Sequence, residues 1–210
     1  LMVPEQYGGL ELDMLFASVV SGALGSGIAP VPYAGAYVMA PIALTLAGSN
    51  SQKENWLPKV AGGEAVIGIG LSEYVGAREN AVITTSGKNI SGRCLFVIDA
   101  KEADAYILSN KAGELYLIDA KAKGISVTDL VTVDKTRPSI ELNLDNVEAE
   151  LLPGSENTQD IINKVLDAGR LMLAADSIGA SQVMLDKAVA YSLERKQFGR
   201  VIGSFQAVKH

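Results

Sequence analysis

The last twenty residues, YSLERKQFGRVIGSFQAVKH from Tyr191 to His210, carry the densest set of groups able to hold a charged, flat ligand. Arg195 offers a planar fork of donors matched to phosphate oxygens, and Phe198 offers a flat face. Gly199 lets backbone come close to a ligand, and Gln206 can both donate and accept hydrogen bonds. Together they suit a nucleotide-like ligand with a diphosphate and a flat ring. The same residues also describe a helix C-terminus whose cations complement its dipole, followed by a glycine-assisted turn. Residue types alone leave both readings open.

Counting narrows the other chemistries. The 210 residues include one histidine, His210 at the last position, and one cysteine, Cys94. Clusters of histidine metal ligands and Ser–His–Asp machinery are therefore not readable in this chain. Cys94 forms no internal disulfide and reads as a small buried hydrophobe. No G-x-G-x-x-G opens a helix and no G-x-x-x-x-G-K-[ST] is present, so neither a Rossmann nor a P-loop site is indicated. A net charge of −6 argues against nucleic-acid binding by bulk charge, so any anion must be held by a local site.

The elements that must position these groups fall into three regions. With 48% apolar and 20% charged residues, the chain has the composition of a folded globular protein. Residues 1–65 read as a helical domain: LDMLFASVVSGALG, PYAGAYVMAPIALTLAG and SQKENWLPKVAGG, with Ser51 as N-cap, Glu54 completing a capping box, and Pro41 bending the second helix. Met14 to Gln52 lacks charge, yet APVPYAG splits it into pieces shorter than the roughly 20 residues a bilayer span needs. No basic cluster flanks them, and LMVPEQYGGL lacks the features of a secretory signal. Buried helices and no membrane span are the reading.

Between residues 66 and 153 the period drops to two. Ile140, Leu142 and Leu144 alternate with polar residues, as do Leu115 and Leu117, and Asp145–Asn146 reads as a turn. Many short strands with no crossover-length helix predict an antiparallel sandwich or barrel rather than a parallel sheet. Residues 154–210 return to helical spacing, with one long helix over 158–195 and another starting near Phe205. Gly169 and Gly179 each cost that helix about 1 kcal/mol relative to alanine, so close packing must compensate. The fold class is thus α+β and multidomain: N-terminal helices, a central barrel, and the start of a C-terminal helical bundle.

The terminal stretch RKQFGRVIGSFQAVKH resembles the pattern R-x-x-F-G-x-x-I-x-x-F-Q-x-x-x-H of the acyl-CoA dehydrogenases. PEQYGG (4–9), LPKVAGGEAVIGIGLSE (57–73) and IELNLDNVEAELLPG (140–154) are similar to segments of that family in the same order, and match its helix–β–helix arrangement. The resemblance implies FAD as cofactor, an acyl-CoA substrate, an electron-transfer flavoprotein as electron acceptor, and a homo- or hetero-oligomer. It implies a place in lipid metabolism and fatty-acid β-oxidation, cytoplasmic in a bacterium or in the mitochondrial matrix of a eukaryote.

Carried over residue by residue, Ser72 stands where the family usually has a threonine at the flavin ring, and Phe96 keeps an aromatic for its face. Arg195, Phe198 and Gln206 fall on positions that touch the dinucleotide of a neighbouring subunit. Asp167 and Arg170 keep an Asp-x-x-Arg spacing that helps position acyl-CoA, although residues three apart on a helix also form plain surface ion pairs.

Departures are equally specific. Ile98 replaces a hydroxyl, Tyr74 replaces a proline, and the segment from Glu73 to Gly92 is short and lacks the usual Ser-Asp. Desaturation needs a carboxylate to take the α-proton, and Gly169 stands at the one familiar position for it within this chain. No catalytic residue is therefore assigned. The expectation is a fragment lacking the first helices and most of the C-terminal bundle, or a subunit whose site is completed by another chain. A non-catalytic subunit and a same-fold flavin oxidase or monooxygenase are the competing readings.

Overall fold

The computed structural model describes residues 1–76 and 80–210. Helix α1, Met14–Ser26, begins at Asp13, whose Oδ1 accepts the amides of Leu15 at 2.9 Å and Phe16 at 3.2 Å. The next helical stretch is a π-turn over Gly35–Met39 that runs into α2, Ala40–Ala47. Pro41 supplies a reason: it has no N–H to give and its ring crowds the carbonyl four residues back. The distortion lies ahead of the proline, as a widened turn.

Helix α3, Asn50–Ala61, is capped by Ser49 rather than Ser51. Ser49 Oγ accepts the Gln52 amide at 3.3 Å while Gln52 Oε1 accepts the Ser49 amide at 2.9 Å, a capping box two residues earlier than expected. Gln52 wins over Glu54 because it is buried and its Nε2 also donates to Glu150 Oε2 and the Leu151 carbonyl. That long-range tie is invisible in local spacing.

Eight strands follow: β1 Ile67–Gly70, β2 Ile83–Ser86, β3 Asn89–Ile98, β4 Ala105–Ser109, β5 Leu115–Asp119, β6 Ile125–Asp129, β7 Ser139–Glu148 and β8 Glu150–Leu151. They form one sheet in the order β6-β7-β3-β1-β4-β5-β8, with β2 also on β3. The predicted closed antiparallel barrel is corrected on both counts. β1 runs parallel to β4, from Ile67 opposite Ala105 to Gly70 opposite Leu108, and the edge strands β6 and β8 do not pair with each other. Period-two alternation reports which face is buried but not the direction of the partner. Here the β2–β3 hairpin makes the crossover that parallel pairing requires, so no helix is needed.

The alternation itself holds: Leu115, Leu117, Ile140, Leu142 and Leu144 are all buried. Asp145–Asn146 is a bulge within β7, not a turn, and lies opposite Ser91, whose Oγ accepts the Asn146 amide at 2.9 Å. The sheet curls around an inner core of Cys94, Val97, Leu108, Ile118 and Leu142, and its other face packs α2, α3 and the long helix through Leu44, Leu57, Ile107 and Val165. Gly68 and Gly70 serve that curl, since a β-carbon on Gly70 would stand 2.6 Å from Cys94 Sγ. The glycines of GIGLSE are packing residues.

Helix α4, Asp160–Glu194, is 35 residues long. It buries Ile162, Val165, Ala168 and Met172, and nothing beyond Met172. α1 lies along it, with Ser21 Oγ donating to the Met172 carbonyl at 2.8 Å, and Arg137 of the β6–β7 connection pairs with Asp176. A small hairpin, β9 Lys196–Gln197 and β10 Arg200–Val201, then leads to the short helix α5, Gln206–Lys209. Among the described residues no helix is long and apolar enough to cross a membrane.

Candidate functional site

Where α4 crosses the sheet, an apolar cleft of about 210 Å³ opens between the end of β1, the middle of β3 and the helix. Ser72, Phe96, Ile98, Gly169 and Arg170 line it together with Met39, Ile69, Leu71, Leu95 and Leu173. Five residues singled out from the sequence, Ser72, Phe96, Ile98, Gly169 and Arg170, thus converge although they are spread over about half of the chain.

Phe96 reaches the cleft through a fault in the ladder. Cys94 pairs with Leu142 and Val97 with Ile140, so Leu95 and Phe96 together face the single residue Glu141. The bulge puts Phe96 at φ +53° and leaves it 41% exposed between buried neighbours. A bulky residue in that region is a real outlier, and bulges next to clefts re-aim side chains. Phe96 and Leu95 form the ridge between the apolar cleft and a second, more polar one of about 620 Å³. Arg93 and Glu141 line the second cleft, with Arg93 Nε and Nη2 donating to the two Glu141 oxygens at 2.6 and 2.7 Å. The hydrogen bond from Arg93 holds the Glu141 carboxyl below the usual range.

Ser72 is buried, and its hydroxyl is committed in part. Its Oγ accepts the Leu95 amide at 3.0 Å and lies 3.4 Å from Cys94 Sγ. In the contact with Cys94 either group can be the donor. Cys94 is buried as expected, and burial pushes its thiol up to about 11, which removes it from nucleophilic chemistry. Glu73 accepts the Ile83 amide at 2.7 Å and so ties down the start of the segment from Glu73 to Gly92. Residues 77–79, within the segment that lacks the usual Ser-Asp, lie outside the described residues.

Asp167 and Arg170 form an i,i+3 ion pair at 2.8 Å with side chains 71% and 69% exposed, the geometry of an ordinary surface pair. Arg170 alone of the two lines the apolar cleft. Below it, Gly169 is covered by Met39: a β-carbon there would stand 2.6 Å from Met39 Sδ. Sequence reasoning gave Met39 no role, since its neighbour in space lies on a helix far along the chain.

Arg195, Phe198 and Gln206 are elsewhere. Arg195 ends α4, 25 residues beyond Arg170 and so about 38 Å along the helix axis. Phe198 tips the β9–β10 hairpin and is 93% exposed, and Gln206 opens α5, exposed. Within one protomer these groups and the apolar cleft are too far apart to grip one dinucleotide. A ligand held by both sets must be shared between chains.

Residues 1–64 match the acyl-CoA dehydrogenase N-terminal domain and residues 159–210 the acyl-CoA dehydrogenase C-terminal domain. Acyl-CoA dehydrogenase IpdE2 of Mycolicibacterium smegmatis is 30% identical over 210 residues, covering 100% of this chain and 55% of that protein. Caffeyl-CoA reductase-Etf complex subunit CarC of Acetobacterium woodii is 27% identical over 233 residues, covering 99% of this chain and 60% of its own length. The solved ChsE4-ChsE5 complex from Mycobacterium tuberculosis matches with a TM-score of 0.86 at 26% identity, over 99% of this chain and 57% of that one. The chain belongs to the acyl-CoA dehydrogenase family. It spans between 55% and 60% of the length of these relatives.

Proposed function

We propose that the chain is the flavin-facing part of an FAD-dependent acyl-CoA dehydrogenase that desaturates a thioester between its α and β carbons. The observation that carries the reading is the bulge in β3, which spends backbone strain to turn an aromatic ring out of a sheet and into a cleft. The residues fit such a cofactor: a flat apolar surface at Phe96, a hydroxyl at Ser72, and no side chain at Gly169. FAD, when bound, supplies the acceptor for the hydride lost from the β-carbon.

In this reading Ser72 and Phe96 orient the flavin ring, and Arg195, Phe198 and Gln206 hold the dinucleotide of a neighbouring subunit. Arg170, paired with Asp167 on the helix surface, guides the acyl-CoA at the mouth of the apolar cleft, whose walls exclude water from the reacting carbons. The α-proton requires a carboxylate within hydrogen-bond reach. Among the described residues no Asp or Glu lines the apolar cleft. The reading therefore needs a base that this lining does not supply, from elsewhere in the polypeptide or from a partner subunit. Electrons would pass to an electron-transfer flavoprotein, in line with the Etf complex named for the Acetobacterium relative.

A second reading, a subunit that binds flavin for a catalytic partner, is favoured by Gly169 at the base position and by the two-protein complex among the matched structures. One experiment separates them. The protein from the complete gene is purified, its visible flavin absorption recorded, and a series of acyl-CoA esters added with and without a co-expressed partner. Bleaching by the protein alone supports the enzyme, bleaching only with partner supports the shared site, and a folded product that takes up no FAD rejects both.

A further inference from the structure

The terminal hairpin contains a cation outside the family pattern, Arg200, two residues beyond Phe198. The loop between β9 and β10 is Phe198–Gly199, with φ of +51° and +79° and Gln197 paired to Arg200 across it. That is the two-residue primed turn favoured by Asn-Gly, in which both positions are left-handed. Glycine accepts this freely, whereas phenylalanine is a real outlier there. Such strain persists only when the surroundings over-determine it. Burial cannot do so, because Phe198 is 93% exposed.

Three side chains stand in a row at this tip. Phe198 meets Phe205 edge to face, with ring centroids 6.3 Å apart and planes at 82°. The Arg200 guanidinium carbon lies 4.0 Å from the Phe205 centroid. Among the described residues Arg200 has no salt bridge, so its charge is directed at the ring face. Arg200, Phe205 and Phe198 thus lie in sequence, from cation to ring face to ring edge.

We propose that Arg200 is a positioning residue for Phe198, acting through Phe205 and without touching the ligand itself. The inference rests on the flavin reading of the hairpin given above, and the two can fail separately. Para-fluorophenylalanine placed at position 198 of the full chain reports ring position by fluorine NMR without flavin, and FAD affinity is read by fluorescence titration. R200Q and F205L should each move the resonance toward that of a freely exposed ring. Each should also weaken FAD binding roughly two- to fivefold. The double variant should bind no more weakly than F205L alone, because both changes break one chain of contacts. The same label at position 16, on α1, should not move, which excludes general unfolding.

The proposal is overturned if R200Q leaves the 198 resonance in place, or if FAD affinity is unchanged although the resonance moves. It is also overturned if the two losses multiply in the double variant, which would make Arg200 a direct contact. If the resonance moves as expected but the unsubstituted protein binds no FAD, the flavin reading of the hairpin is what falls.

Discussion

Gly179 of α4 lies against the backbone carbonyl of Gly22 in α1 so closely that a β-carbon on Gly179 would overlap the oxygen. Ten residues earlier on the same helix, Gly169 faces Met39, whose thioether ends in a flexible chain. Both glycines cost the helix about 1 kcal/mol of propensity relative to alanine. They are retained for different reasons, and substitution separates them. Gly179→Ala forces two backbones apart and should destabilise by about 2 kcal/mol or more after the gain in propensity. Gly169→Ala can be met by rotation of Met39 and should stay within about 1 kcal/mol of the parent. Urea denaturation checks both, and equal losses would remove the distinction.

Ser72 joins the sheet to the cleft, and its loss has a sign that can be read without any cofactor. Its Oγ is the acceptor for the buried Leu95 amide at 3.0 Å. Ser72→Ala leaves that N–H unsatisfied at a buried position and should cost about 1–3 kcal/mol. Cys94, beside it, should resist thiol reagents at pH 8 in the parent protein, since burial pushes its thiol up to about 11. Labelling should become faster in Ser72→Ala as local opening becomes easier. Rapid labelling of the native parent would refute the burial argument.

Much of this was legible from residue types and much was not, for identifiable reasons. The helix–strand–helix order and the buried alternation in β5 and β7 follow from periodicity, which survives whatever the strands pair with. Strand direction does not: nothing in IGIG says that it will lie parallel to AYILS. The capping box slipped from Ser51 to Ser49 because Gln52 is chosen by contacts with residues 150 and 151. Within the site, Ser72 and Phe96 were named by resemblance, while their partners Leu95 and Cys94 are set by register and by a bulge, and Met39 reaches Gly169 from the turn before α2. Arg93 and Glu141 went unnoticed for the same reason, since their pairing depends on which residue faces Leu95 and Phe96.

Two carboxylates near the site act on stability with opposite sign. Burial raises the Asp99 carboxyl above the usual range, offset in part by the Gly35 and Ala36 amides and by Arg137. Its folded form holds the proton more tightly than the unfolded chain does, so its favourable contribution is present at low pH and is lost as pH rises through the raised value. Glu141, held low by Arg93, contributes above its unfolded pKa and loses that contribution as pH falls through its depressed value. Asp99→Asn should therefore gain on the parent as pH rises from about 4 toward neutrality, taking the ordinary carboxyl value as the lower bound. Glu141→Gln should show its full deficit at neutral pH and lose it below about pH 4. Denaturation midpoints from pH 3 to pH 8 test both, and curves parallel to the parent would contradict the assignments.

If the strain at Phe96 is kept for the sake of its ring, removing the ring should cost the fold little. Phe96→Gly relieves a left-handed backbone worth about 1–3 kcal/mol. It also gives up the burial of a ring that is 41% exposed, a loss of about 1–2 kcal/mol. The two nearly cancel, so the variant should match the parent in urea to within about 1 kcal/mol while its FAD affinity falls. Phe96→Leu keeps the strained backbone and apolar bulk but lacks the flat face; it too should bind FAD weakly. A ring that served only packing predicts the reverse: Phe96→Gly would be clearly destabilised, and Phe96→Leu would bind flavin as the parent does.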